Sequence, residues 1–172
     1  ALVALAAIGG AAGLYLLALD QTAAPRPTRA GPVALASAQE ATARAEELVS
    51  LTLDSLYLAF QETEEGAIYD ALARSAEGPA LEALYLQRRA ALEDRGLEGA
   101  EQAIHELEVL QATAERSSAG LGVDARWRVL GVVGHARHRH MRGNAYAARL
   151  DYARRAGAWR LVGFDLTAVA RP

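Results

Sequence analysis

The chain has no cysteine and no lysine. The first absence excludes disulfides, thiolate metal sites and cysteine nucleophiles. It leaves the redox compartment open, because oxidising and reducing settings both tolerate a Cys-free protein. The second means that all 18 basic residues are arginine, which, beside so much Ala and Gly, reflects genome base composition more than function. Aromatic residues are scarce at 6%, so a core must be built mainly from Leu, Val and Ala. No nucleophile elbow, phosphate-binding glycine loop or zincin helix occurs, which weighs against an enzyme.

What the chain has is uneven in its distribution. The 52% hydrophobic content of its 172 residues is concentrated at the start. Ala1 to Leu19 carry no charge before Asp20, and nineteen helical residues span roughly 28 Å, close to the hydrocarbon thickness of a bilayer. Residues 1–20 therefore read as a single membrane-spanning helix. Gly9 and Gly13 provide a small-xxx-small spacing that allows two such helices to pair closely. A cleaved signal peptide ending near Thr22-Ala23-Ala24 is the competing reading, though the run is longer than a usual signal core. Three prolines between Ala23 and Pro32 make residues 21–32 an extended linker. Residues 33–172 then form the folded domain, expected on the extracytoplasmic, periplasmic side of a bacterial membrane.

Charge is polarised within that domain. Residues 33–120 hold 17 acidic and 6 basic side chains, while residues 121–172 hold 10 Arg and 3 Asp. Either acidic helices pack against a basic sheet, or an Arg-rich face awaits an anionic partner such as lipid headgroups. The overall acidity argues against nucleic acid.

Apolar spacing of three and four through Leu48, Leu51, Leu56, Ala59 and Phe60 predicts a helix over 33–65, broken at Gly66. A short helix over 67–76, around Ile68, Tyr69 and Leu72, and a third begun by Gly78-Pro79 follow. Beyond Gly99 the period changes. His105, Leu107, Val109 and Gln111 alternate with Glu106 and Glu108, suggesting a strand, although a helix stays open there. Asp124–His135, His138–Tyr152 and Trp159–Val169 read as three more strands, the last two joined through Arg154-Arg155-Ala156-Gly157. Helices followed by strands imply an α+β domain: three helices on a curved four-stranded antiparallel sheet. With the closing stretch Ala156-Gly157-Ala158-Trp159-Arg160-Leu161, this order resembles the NTF2-like, or cystatin-like, group. That resemblance covers roughly residues 40–170, implies a long first helix in the concavity of the sheet, and carries no catalytic motif. Members include enzymes, small-ligand binders and membrane-anchored assembly components.

The one cluster suited to metal or proton chemistry is His135-Ala136-Arg137-His138-Arg139-His140. A reversal at Ala136-Arg137 sets His135 opposite His138 and His140 opposite Val133, gathering three neutral imidazoles suited to Zn or Cu. It also pairs Trp127 with Tyr146. The competing turn, Gly143-Asn144, has better hairpin chemistry and would separate the histidines. Arg137, Arg139 and Arg142 disfavour a divalent cation. For acid/base work only Asp151, Tyr146, Asp124 and His105 are available, without recognisable partner spacing. The leading expectation is a membrane-anchored accessory domain that binds a partner protein without catalysis. The alternatives are a Zn- or Cu-binding domain using His135, His138 and His140, and a small-molecule enzyme or binder using a pocket between first helix and sheet.

Overall fold

A computed structural model describes residue 35 and residues 37–95, 101–118, 120–135 and 138–170. The expected membrane helix, Gly9 and Gly13, and the expected Pro-rich linker lie outside the described residues. Among the described residues no helix is long and apolar enough to cross a membrane.

Four helices precede four strands. α1 spans Ala38–Ala43 and α2 Ala45–Ala59. Ser37 starts α1 by accepting the amide of Glu40 at 3.1 Å, which satisfies one of the free donors at a helix start. The single helix expected over 33–65 is thus interrupted at Arg44, whose backbone leaves the helical region. The guanidinium of Arg44 spans the break, bonding Glu40 at 2.8 Å and Glu47 at 2.6 Å. The long helix ends at Ala59, before Gly66. Gly66 instead lies inside α3, Glu65–Leu72, where an added Cβ would meet nothing within 4 Å. α4 runs Gly78–Arg95, beginning where the Gly-Pro pair predicts.

The region beyond 100 is strand throughout: β1 Glu101–Arg116, β2 Leu121–His135, β3 His138–Arg155 and β4 Ala158–Ala170, in an open antiparallel meander of order β1-β2-β3-β4. The last hairpin closes through Ala156 and Gly157, both at positive φ (48° and 82°). That is the two-residue geometry whose twist matches the strands it joins.

Bulges separate the inner strands from the edges. The β2–β3 ladder runs without a shift for fifteen pairs, from Leu121↔Tyr152 to His135↔His138. Each edge strand carries two single-residue insertions, at His105 and Leu110 in β1 and at Val162 and Thr167 in β4. An inserted residue bends and twists its strand locally, so the sheet curves about a regular central hairpin. The insertions also reset the alternation of β1. Ile104, Leu107, Val109, Ala112 and Ala114 pack against the core, whereas His105 and Gln111 do not continue the face of Leu107 as the simple alternation predicts.

The helices cover one face of the sheet. α2 lies along β1 and α4 along β4. Leu48, Val49, Leu53, Leu56, Ile68, Leu72 and Leu84 meet Leu121, Val123, Leu150, Tyr152 and Leu161 in one buried cluster. A short parallel bridge ties the helical layer to the sheet: Leu161 N–H donates to Ser75 O and Glu77 N–H to Leu161 O, both at 2.9 Å.

Candidate functional site

The covered face carries a line of polar and aromatic groups at its centre. Trp127 on β2 and Tyr146 on β3 are directly opposed and their rings stack at 5.4 Å, 19° from parallel. The indole N–H of Trp127 donates to the Tyr57 hydroxyl of α2 at 3.3 Å. Two residues earlier in β3, Asn144 is 1% exposed and donates from Nδ2 to the Tyr146 hydroxyl at 3.0 Å. Burial pushes the Tyr57 phenol far up from its usual value; the nearby Tyr146 adds to this and the Trp127 bond opposes it. Tyr146 is raised for the same first reason, against the bond from Asn144. These phenols stay neutral near neutral pH and act as hydrogen-bonding groups, not as bases.

A cleft opens above them between α2 and α4, walled by Leu56, Phe60, Leu84, Gln87, Phe164 and Leu166. Its void is about 20 Å³, enough for roughly one water molecule. This cleft, as formed by the described residues, is too small for a small-molecule ligand.

The same sheet face continues past Asn144 toward the histidines. The ladder sets Gly131 opposite Arg142, Val133 opposite His140 and His135 opposite His138. The reversal therefore falls between His135 and His138, and β3 is continuous through Gly143-Asn144. Residues 136 and 137, and the side chains of His135, His138 and His140, lie outside what is described. Among the described residues no group of three or more His, Cys, Asp or Glu is placed to hold a metal.

The other candidates for acid/base chemistry are dispersed. Tyr146 floors the cleft, while Asp124 and Asp151 belong to the opposite face, where Arg149 pairs with Glu115 at 2.7 Å, Asp124 at 2.8 Å and Asp151 at 3.6 Å. Gly122 makes room for this: a Cβ there would sit 2.0 Å from the Arg149 guanidinium. His105 occupies a bulge of β1. Arg128 bonds Glu108 at 2.6 Å and lies 3.8 Å from Glu106. Arg128 and Arg149 are thus paired with carboxylates of the strands, from β1 and, for Arg149, also from β2 and β3. Arg155–Glu77 at 2.8 Å is the ion pair that links sheet to helical layer among the described residues.

One feature has no signal in the sequence pattern. Tyr69 on α3 and Tyr85 on α4 meet edge-to-face at 5.6 Å, and Tyr69 is 47% exposed, not turned inward as the expected helix face required. Leu86, the residue after Tyr85, is 54% exposed. The Tyr85 hydroxyl bonds Glu65, and Arg89 reaches Glu65 at 3.3 Å and Glu93 at 3.4 Å.

No family model and no curated protein matches the chain. Among solved structures it is similar to the intermembrane space region of the chloroplast protein ARC6, with a TM-score of 0.46 and 16% identity, over 74% of this chain and 96% of that one. By its own topology the chain is an α+β protein with helices on one face of an open four-stranded antiparallel sheet.

Proposed function

We propose that this chain is a non-catalytic interaction domain of NTF2-like type, tethered by the apolar helix over residues 1–20 and binding a partner protein beside the membrane, on its extracytoplasmic side. The narrowness of the cleft between α2 and α4 supports the reading. A void of about 20 Å³ stands far below the roughly 300–1,000 Å³ of ordinary ligand pockets, which moves recognition to the surface. There, Tyr69, Tyr85, Leu86 and Arg89 bring together tyrosine and arginine, the residue types that dominate binding energy at protein interfaces, beside an exposed leucine. A photocrosslinking residue at Leu86, in the full chain in native membranes, is expected to give one discrete adduct that Tyr69→Ala abolishes. The same residue at Thr113, exposed on the uncovered sheet face, should give none. Equal labelling from both positions, or none from either, would refute the reading.

A second reading is Zn or Cu binding through His135, His138 and His140. What supports it is the backbone register, which sets His135 opposite His138 with His140 two residues further along β3. Elemental analysis of untagged protein tests it. Stoichiometric metal that disappears in the His138→Ala, His140→Ala double variant is expected, and a metal-free protein that resists reconstitution sinks it.

A further inference from the structure

Carboxylates without a cation gather on one side of the helical layer. Arg44 answers Glu40 and Glu47, Arg128 answers Glu106 and Glu108, and Arg149 answers Glu115, Asp124 and Asp151. Glu46 and Asp54 on α2 and Asp165 on β4 enter no ion pair among the described residues, and they stand apart from one another. Glu62, Glu64, Asp70 and Glu82 also enter none, and all are exposed within the stretch that leads into α3 and starts α4. Arg89 is already held there by Glu65 and Glu93. Arg74 is the other exposed cation among residues 61–93. At the centre of this surface stand Tyr69, 47% exposed, and Leu86, 54% exposed. Asp70 follows Tyr69 directly, and Glu82 lies one helical turn before Leu86.

We infer that this face receives a cationic segment of the partner protein, one that sets arginine beside a leucine-sized apolar side chain. The inference rests on the reading of Tyr69 and Leu86 as the partner surface and names the chemistry of what binds there. A guanidinium lies flat on an aromatic ring and offers its planar fork to carboxylates. Tyr69 with Asp70 next to it supplies both kinds of group from adjacent positions on α3. Leu86 supplies the apolar contact, and Glu82 a second anion on α4. The sign of the charge separates the classes of macromolecule. Anionic lipid headgroups and nucleic acid phosphates would both be repelled by this rim, so a basic protein segment is the complement. The rim charges select the partner and speed its arrival, while the buried contacts to tyrosine and leucine hold it.

The photocrosslinking residue at Leu86, in the full chain in native membranes, is the probe. It is combined with Asp70→Asn and Glu82→Gln, which remove charge and keep shape at two exposed positions. Adduct yield is expected to fall about fivefold in the double variant, with thermal unfolding unchanged. The unaltered rim should lose adduct to a similar degree at 1 M salt, where charges are screened within about 3 Å. Glu46→Gln, an exposed acid on α2, should change nothing. Mass spectrometry of the adduct should place the attachment on a protein segment in which Arg and Lys outnumber Asp and Glu. An adduct that survives both neutralisation and salt leaves the partner surface standing and overturns its cationic complement. Attachment to lipid, to an acidic segment, or to Arg26 or Arg29 of this same chain overturns it as well. No adduct from the chain with its rim intact would overturn both readings together.

Discussion

The two faces of this sheet are built from the same strands and obey different physics. On the covered face Leu121, Val123, Leu150 and Tyr152 are fully buried under α2 and α4, and the Trp127 indole N–H finds its acceptor in the Tyr57 hydroxyl. On the other face Arg149 and Arg128 lie among several carboxylates each, in contact with water. Burial of apolar area stabilises by roughly 25 cal/mol per Å², whereas an exposed ion pair contributes at most about 1 kcal/mol and is screened by salt. Stability and strand register should therefore reside on the covered face, and solubility on the other.

Removing the centre of the covered face tests this most severely. Trp127→Ala deletes the stacked partner of Tyr146 and the donor to Tyr57, and is expected to destabilise by about 3–5 kcal/mol in urea titration. A loss under about 1 kcal/mol would mean that the helices do not rest on the sheet. Alkaline pH reads the same face without mutation. The Tyr57 and Tyr152 phenols are raised by burial, Tyr152 against the opposing effect of the Thr52 hydroxyl beside it. Folded and unfolded chains bind the same protons below the ordinary phenol value of 10.0. Above it only the unfolded chain ionises, so stability falls by about 1.4 kcal/mol per pH unit for each phenol. Tyrosinate absorbance should rise together with the loss of near-ultraviolet circular dichroism above pH 10, and a prior, separate ionisation would contradict the burial.

Smaller changes sharpen the contrast. Tyr57→Phe leaves the Trp127 indole N–H without its acceptor and is expected to cost about 1–2 kcal/mol, the same at low and high salt. Arg149→Gln, on the other face, should cost under about 1 kcal/mol at low ionic strength and nothing measurable at 1 M salt. A salt-independent loss at Arg149 would place it in the core's class.

The sequence discloses these features to unequal degrees. The central hairpin is legible because its register is fixed by face: sliding β3 by one residue would send Tyr146 and Leu150 to the wrong side. The last turn is legible from Gly157, whose positive φ suits glycine. The edge bulges are not, since His105, Leu110, Val162 and Thr167 are ordinary strand residues and an insertion leaves no compositional mark. Nor is the break at Arg44, a good helix former, while Gly66 carries a breaker's signal without being one because a tertiary setting overrides a propensity of about 1 kcal/mol. Of the candidate site, the Trp127–Tyr146 pair and the histidine register follow from alternation. Tyr57 does not, because a helical tyrosine gives no sign of which strand residue it will meet.

The bridge between Ser75–Glu77 and Leu161 has a consequence for the order in which the protein can be made. Residues 38–95 supply every helix among the described residues, yet their apolar faces are closed only by strands that follow, the last of them anchored at Leu161. The hairpins join sequence neighbours and can zip locally, but the helix layer must wait. At about 5–20 residues per second, roughly 3–13 s separate synthesis of Arg95 from that of Leu161. During that interval Leu48, Val49, Leu53, Leu56, Ile68 and Leu84 lack the complete sheet, so a nascent chain arrested before β4 should be a substrate for chaperones and proteases that the completed chain is not.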